Sequence, residues 1–263
     1  MIRPRIIAIV MLTACAMALR AQEVRVDSLV AVRPFGEAMR YSWPIVRMPG
    51  SYPIARRINE DLFMWGERDV DADTAGALFF DGVWGDSSGR MIQMWPPEWR
   101  WTRPLESLLV MEITAEWCGA YCEGSTEHYH YDLRKGSRVR FDSLFTVEDL
   151  GKVKGTLGDR WRAVVADHLA ALRDTAGRSP TELAGDWSMG AIDLYERCLG
   201  ERSAADPYVS DMLIGPEGIT VWMARCSAHI ELASDDLMEV AIPLSVAELI
   251  PLMRPSAIRW LGW

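Results

Sequence analysis

Four cysteines, two closely spaced histidines and a knot of tryptophans are the residues whose type and spacing suggest chemistry. Cys118 and Cys122 flank Gly-Ala-Tyr. A redox-active pair normally has two intervening residues and abuts a helix start, where a thiolate is stabilised. Here three residues intervene, in a pattern that reads as a hairpin turn, so a structural staple is the preferred reading. Closing so small a loop stabilises by roughly 2 kcal/mol in the chain-entropy model. Cys198 and Cys226 complete the set, and four cysteines allow three connectivities. The preferred pairing is Cys118–Cys122 with Cys198–Cys226. The first pair flanks one turn, and the second joins the end of a helical region to a late strand. The longer loop is worth about 3.5 kcal/mol on the same model.

His128 and His130 lie two apart on an expected strand, so both side chains point to one face. Zinc would need a third ligand and an open position. Glu123, Glu127 or His229 supplies one only if the fold brings it close. The preferred reading is two exposed strand histidines, with no metal site. Trp95, Trp99 and Trp101 cluster around Pro96-Pro97. Packed beneath a loop, they would belong to the core of a chain that has 12 tryptophans to bury, and this is preferred. Exposed, they would offer a stacking surface to a sugar or a protein, and the three are the candidate binding surface.

The acid pairs Glu60-Asp61 and Asp235-Asp236 read as solvated surface. Glycosidases need carboxylates that face each other across a cleft, which sequence neighbours rarely do. No Gly-x-Ser-x-Gly elbow and no phosphate-binding glycine loop occurs. No catalytic residue, metal ligand or cofactor site is assigned. No cleft is expected where a histidine or cysteine meets a carboxylate beside a third polar group.

The elements that carry these residues follow an N-terminal leader. Arg3 and Arg5 precede the apolar run Ile6–Leu12, and small residues end the stretch at Ala18 and Ala21. That order is a secretory signal, expected to be cut after Ala21. A competing reading takes Leu12-Thr13-Ala14-Cys15 as a lipobox, with a lipid anchor on Cys15. The mature chain, residues 22–263, is expected to be one domain with no transmembrane segment, exported to the periplasm or the medium. An even number of cysteines in an exported chain fits disulfides. The leader takes three of 28 basic residues and no acid, which leaves 25 against 37 and a net charge of about −12. Nucleic-acid phosphates reward a basic patch, so that partner class is excluded.

Strands are expected over 23–32, 42–47, 108–117, 126–133, 138–141, 209–214, 219–224 and 237–242, with short ones at Phe79-Phe80 and 91–94. Helices are expected at 52–65, from Thr146 to Leu172 and across 179–199. In the second, Gly151, Gly155 and Gly158 predict a break, each costing roughly 1 kcal/mol. Ser245 and Glu248 form a capping box for a helix that Pro255 ends. Strands and helices in groups favour an α+β fold with a mainly antiparallel sheet and helices packed on it.

Several segments carry a resemblance when read in order. They are Tyr52-Pro53 with Ile58-Asn59, Tyr129-His130-Tyr131-Asp132-Leu133 with Lys135-Gly136, Phe141-Asp142-Ser143-Leu144-Phe145, Leu213–Val221 around Gly218, and Val240-Ala241-Ile242-Pro243-Leu244. Over residues 40–253 the chain resembles the exported domain-of-unknown-function family of RsiV-like anti-sigma factor ectodomains, also found beside peptidoglycan deacetylase domains. The resemblance implies an α+β binding domain, which in RsiV-like proteins senses lysozyme outside the cell. This chain departs from that pattern. It has no internal transmembrane helix and no cytoplasmic sigma-binding segment, so anti-sigma signalling does not carry over. The deacetylase relatives keep their catalysis in a separate metal domain. Pro53, Asn59, Gly136, Gly218 and Pro243 read as turn and cap residues of the family. The function expected is an exported, non-enzymatic binding domain for a cell-wall-active envelope protein or a cell-wall glycan. The alternatives are an envelope glycan or peptide hydrolase and a structural lipoprotein.

Overall fold

Alternating apolar residues build the first half of the chain. In this computed structural model the described residues are 23–63, 80, 83–84, 94–118, 122–176, 187–201 and 208–263. The leader and most of the short strands expected around 79–80 and 91–94 lie outside them. The chain divides into two compact units, one through Arg138 and one from Val139.

In the first unit, β1 (Arg25–Val32) pairs antiparallel with β2 (Arg40–Arg47). β2 buries Tyr41, Trp43, Ile45 and Val46. Helix α1 (Tyr52–Leu62) has Pro53 in its first turn, where no N–H is needed, and buries Ala55, Ile58 and Leu62. A second antiparallel sheet runs in the order β3 (Glu98–Leu105), β4 (Leu108–Cys118), β5 (Cys122–Asp132), β6 (Ser137–Arg138). Leu109, Met111, Tyr129 and Tyr131 share one face of this sheet and join Tyr41, Ile58 and Leu62 in a single core cluster. β3 was not expected from the sequence. It carries Pro104, which removes a ladder donor, and it lies at the edge of the sheet, where that loss is tolerated.

Asn59 is not a cap. Its Oδ1 accepts the Val46 N–H at 2.7 Å and its Nδ2 donates to the Val46 carbonyl at 2.9 Å. The buried amide therefore stands where a neighbouring strand would, and satisfies both backbone groups of Val46. Gly136 is a turn residue, with φ +72° in the loop that leads into β6. A Cβ there would lie 2.5 Å from the Ile54 carbonyl oxygen.

In the second unit, a 3₁₀ turn (Phe141–Leu144) leads to α2 (Val147–Ala176). Thr146 caps it: its Oγ1 accepts the Asp149 N–H at 3.2 Å and donates to the Asp149 carboxylate at 2.7 Å. The break expected at Gly151, Gly155 and Gly158 does not occur, and α2 runs unbroken for 30 residues. Val153, Leu157, Trp161, Val165 and Leu169 recur every fourth position and are all buried. At roughly 1.5–3 kcal/mol per buried side chain, that stripe outweighs three glycine penalties. Helix α3 (Trp187–Glu201) follows. Strands β7 (Val209–Gly215), β8 (Gly218–Met223) and β9 (Val240–Ser245) then form an antiparallel sheet in that order. The capping box forms at Ser245–Glu248 but opens only a short helix, α4 (Val246–Leu249). Pro255 begins α5 (Pro255–Leu261) and does not end its predecessor. Pro243 is not a turn residue either: it lies within β9, and its carbonyl accepts from Arg160 at 3.0 Å. Among the described residues, three antiparallel sheets with five α-helices make this an α+β protein.

Candidate functional site

The β4–β5 hairpin is well packed at its base and exposed toward its tip. On β5, His128–Asp132 are buried, whereas Cys122–Glu127 are exposed or half-exposed. The tip is closed by the Cys118–Cys122 disulfide, with Cα atoms 4.0 Å apart. Between Ile113 and His128 the hairpin carries Glu116, Glu123 and Glu127 and no lysine or arginine. The tip is therefore an acidic projection.

Along its flank run the tryptophans. Trp95 is tied to the hairpin by its N–H, which donates to the Glu116 carbonyl at 2.9 Å. Trp99 pairs across with Ile113, and Trp101 with Met111. Trp99 is half-buried, and its Nε1 donates to Ser42 Oγ at 3.0 Å. Trp95 and Trp101 are 40% and 38% exposed. The reading of all three as core therefore does not describe these two rings.

His128 and His130 do share a face, opposite the core tyrosines, but neither is exposed. His128 Nε2 lies 3.3 Å from the Glu112 carboxylate, which also accepts from Arg100 at 2.7 Å. Glu123 and Glu127 fall on the other face by strand alternation. Tyr129 donates to Glu127 at 2.6 Å, so that carboxylate is turned away from the histidines. The side chain of His229 lies outside the described ones. Among the described residues, three metal-type ligands gather only at Glu116, Cys118 and Cys122, where both sulfurs are in the disulfide.

Burial, helped by the nearby His128, lowers the pKa of His130 to about 3. A depressed histidine pKa favours folding while the ring is neutral, so the contribution is present above the unfolded value near 6.5. It is lost as pH falls through the window from about 6.5 to 3. Lowering the pH from 7 to 5 is expected to cost about 2 kcal/mol through this residue. Urea midpoints of the wild type and His130→Gln at both pH values check this. The variant should lose that much of the acid sensitivity, and an unchanged difference would refute the assignment.

In the second unit, of the acid pair read as solvated surface, Asp236 is exposed but Asp235 is not. Asp235 is buried; its Oδ2 accepts the Ser227 N–H at 2.9 Å and its Oδ1 the Met238 N–H at 3.0 Å. The Tyr195 hydroxyl lies 2.8 Å from both carboxylates and accepts the Leu237 N–H at 3.0 Å. His168 Nε2 is 2.8 Å from Asp236 Oδ1. A histidine thus meets a carboxylate beside a third polar group, although no cleft is described around them. Sequence alone missed it because the partners of Asp236 are 41 and 68 residues away. Burial raises the Asp236 pKa, but hydrogen bonds from Tyr195 and His168 outweigh it and leave the carboxyl below its usual range. Burial pushes the Tyr195 hydroxyl well above its ordinary value, so it stays protonated. Among the described residues no serine, threonine or cysteine side chain is hydrogen-bonded to His168. Its hydrogen bonds tie residues 227–238 to α3. The Cys198–Cys226 disulfide, with Cα atoms 5.6 Å apart, makes the same connection covalently.

A groove of about 330 Å³ opens between β2 and α1, floored by Ile45, Met48, Ala55 and Phe63. Arg47 and Arg56 flank it, and each is held by an acid, Asp27 at 2.6 Å and Glu60 at 2.7 Å.

The protein is thus defined as an α+β protein in which two exposed tryptophans stand beside an acidic, disulfide-closed hairpin. Its fold is similar to that of two solved DUF3298 family proteins. One, from Pseudomonas aeruginosa PAO1, has a TM-score of 0.52 and 10% identity over 90% of this chain and 96% of its own. The other, from Bacteroides fragilis, has a TM-score of 0.51 and 14% identity over 92% of this chain and 98% of its own. No family model and no curated protein matches the sequence. At these identities the likeness is one of fold.

Proposed function

We propose that this protein is an exported, non-enzymatic binding domain of the bacterial envelope or its surroundings. Its ligand is a cell-wall-active protein with a basic surface, held on the tryptophan flank and the acidic hairpin tip. One observation carries this reading: Trp95 and Trp101 stand about 40% exposed, while Trp43, Trp84 and Trp161 are 9% exposed or less. The fold has places to bury indoles and leaves these two out. Exposed aromatic residues are typical anchors of a protein interface. The glutamates favour a basic protein over a neutral glycan. Two disulfides support an oxidising compartment, and no helix among the described residues is long and apolar enough to cross a membrane.

The test is affinity for a lysozyme and, separately, for soluble cell-wall glycan fragments. Trp95→Ala with Trp101→Ala is expected to weaken lysozyme binding about 30-fold or more, since even one central interface tryptophan costs about 2 kcal/mol or more. The thermal midpoint should fall only modestly, because neither ring is in the core. Affinity should also fall as salt rises. Equal affinity of wild type and double variant would dismiss the tryptophan flank as the site.

The hydrolase reading has one observation in its favour, the His168–Asp236 pair. If His168→Ala abolished turnover of cell-wall glycan by the wild type, that reading would replace the one proposed.

A further inference from the structure

The two disulfides sit in different settings. Cys198 is buried and its bond spans 28 residues, whereas Cys122 is exposed and its bond spans four. Glu116 stands beside the outer bond, with its Oε1 4.0 Å from Cys118 Sγ. This is contact only, because a disulfide sulfur has no proton to donate. The Glu116 carboxylate oxygen and both sulfurs lie within 4.8 Å of one another.

We propose that the hairpin tip is a redox-gated site for a soft divalent cation, closed as the disulfide and formed when the bond is reduced. Two thiolates at C-x₃-C spacing and one carboxylate are a zinc-type ligand set of three, with a fourth position left for water. The antiparallel pairing of β4 with β5 runs up to the two cysteines and presents all three groups from one hairpin end. The sulfurs then need only rotate apart about their own side-chain bonds. The site shares the hairpin tip with the binding surface proposed above, but its argument does not rest on that role.

The reductant is a dithiol. One of its thiolates attacks a sulfur of the bond, the S–S bond breaks, and the other cysteine leaves as a thiolate. The second thiol of the reductant then resolves the mixed disulfide. Two electrons pass to the protein, the dithiol ends as its own disulfide, and two protons end on Cys118 and Cys122. A divalent cation displaces those two protons as it binds. The exposed bond is the one that an external dithiol reaches first.

Graded reduction of the mature protein, followed by alkylation and mass mapping, tests the first half. Cys118 and Cys122 should be alkylated at dithiol levels that leave Cys198 and Cys226 bonded. Cadmium titration of the selectively reduced protein, freed of dithiol under anaerobic conditions, tests the second. One equivalent should give a sulfur-to-cadmium charge-transfer band, which zinc then displaces. Glu116→Gln should weaken binding by at least the roughly 10–100-fold that loss of a ligand's supporting partner costs. Cys118→Ser with Cys122→Ser should abolish the band. Simultaneous reduction of both disulfides, absence of the band, or its survival in the double serine variant would each overturn the proposal.

Discussion

Gly218→Ala is expected to destabilise the second unit by about 3 kcal/mol or more, and to lower its thermal midpoint by roughly 10 °C. Gly218 has φ +147°, and a Cβ built on it falls 2.0 Å from the Leu244 carbonyl oxygen. Ser245 Cα is only 3.0 Å away as well. All of these neighbours are backbone, so no side chain can swing aside. The end of the β8–β9 ladder must open, although Gly218 pairs there with Ser245 at the start of the capped helix α4. Gly50 is the matched control. It also has positive φ, +83°, but nothing lies within 4 Å of its Cβ position. Gly50→Ala should therefore cost only the left-handed backbone penalty of about 1–2 kcal/mol. Equal losses in the two variants would mean that backbone conformation, and not the close approach to Leu244, sets the requirement.

The second large effect is expected at Asn59. Asn59→Ala removes both partners of Val46, whose N–H and carbonyl are held at 2.7 and 2.9 Å. Each buried backbone group left without a partner costs about 1–3 kcal/mol, so a loss of about 3 kcal/mol is expected. Asn59→Asp should be at least as harmful, because it keeps the acceptor, loses the donor and turns a negative charge toward a carbonyl oxygen. Chemical denaturation of the two variants checks this. An aspartate variant as stable as the wild type would contradict the strand-like role of the amide.

These residues also show where sequence reasoning reached and where it stopped. The capping residues Thr146 and Ser245 were legible because a cap is a local hydrogen bond, complete within four residues. The apolar stripe of α2 was legible for the same reason, but its strength against three glycines was not. That balance depends on burial, which only the fold supplies. β3 was hidden by its own composition: tryptophans and Pro104 give no clean alternation, and only its position at a sheet edge accommodates the proline. Asn59 read as a turn or cap residue through the family resemblance, whereas its actual partner lies 13 residues upstream on β2. The network of Asp235 and Asp236 was out of reach. Its other members, Tyr195 and His168, come from two different helices. At the candidate binding surface, the positions of the tryptophans were visible in the sequence, but the exposure of Trp95 and Trp101 was not.

Hydrogen exchange on the mature domain, free and saturated with a lysozyme, is the most direct test of the binding role. Protection is predicted in β3 and in the outer part of the β4–β5 hairpin, over residues 95–101 and 114–127. The second unit should keep its free-state exchange. Protection confined to the second unit, with β3 and the hairpin tip unchanged, would contradict the account.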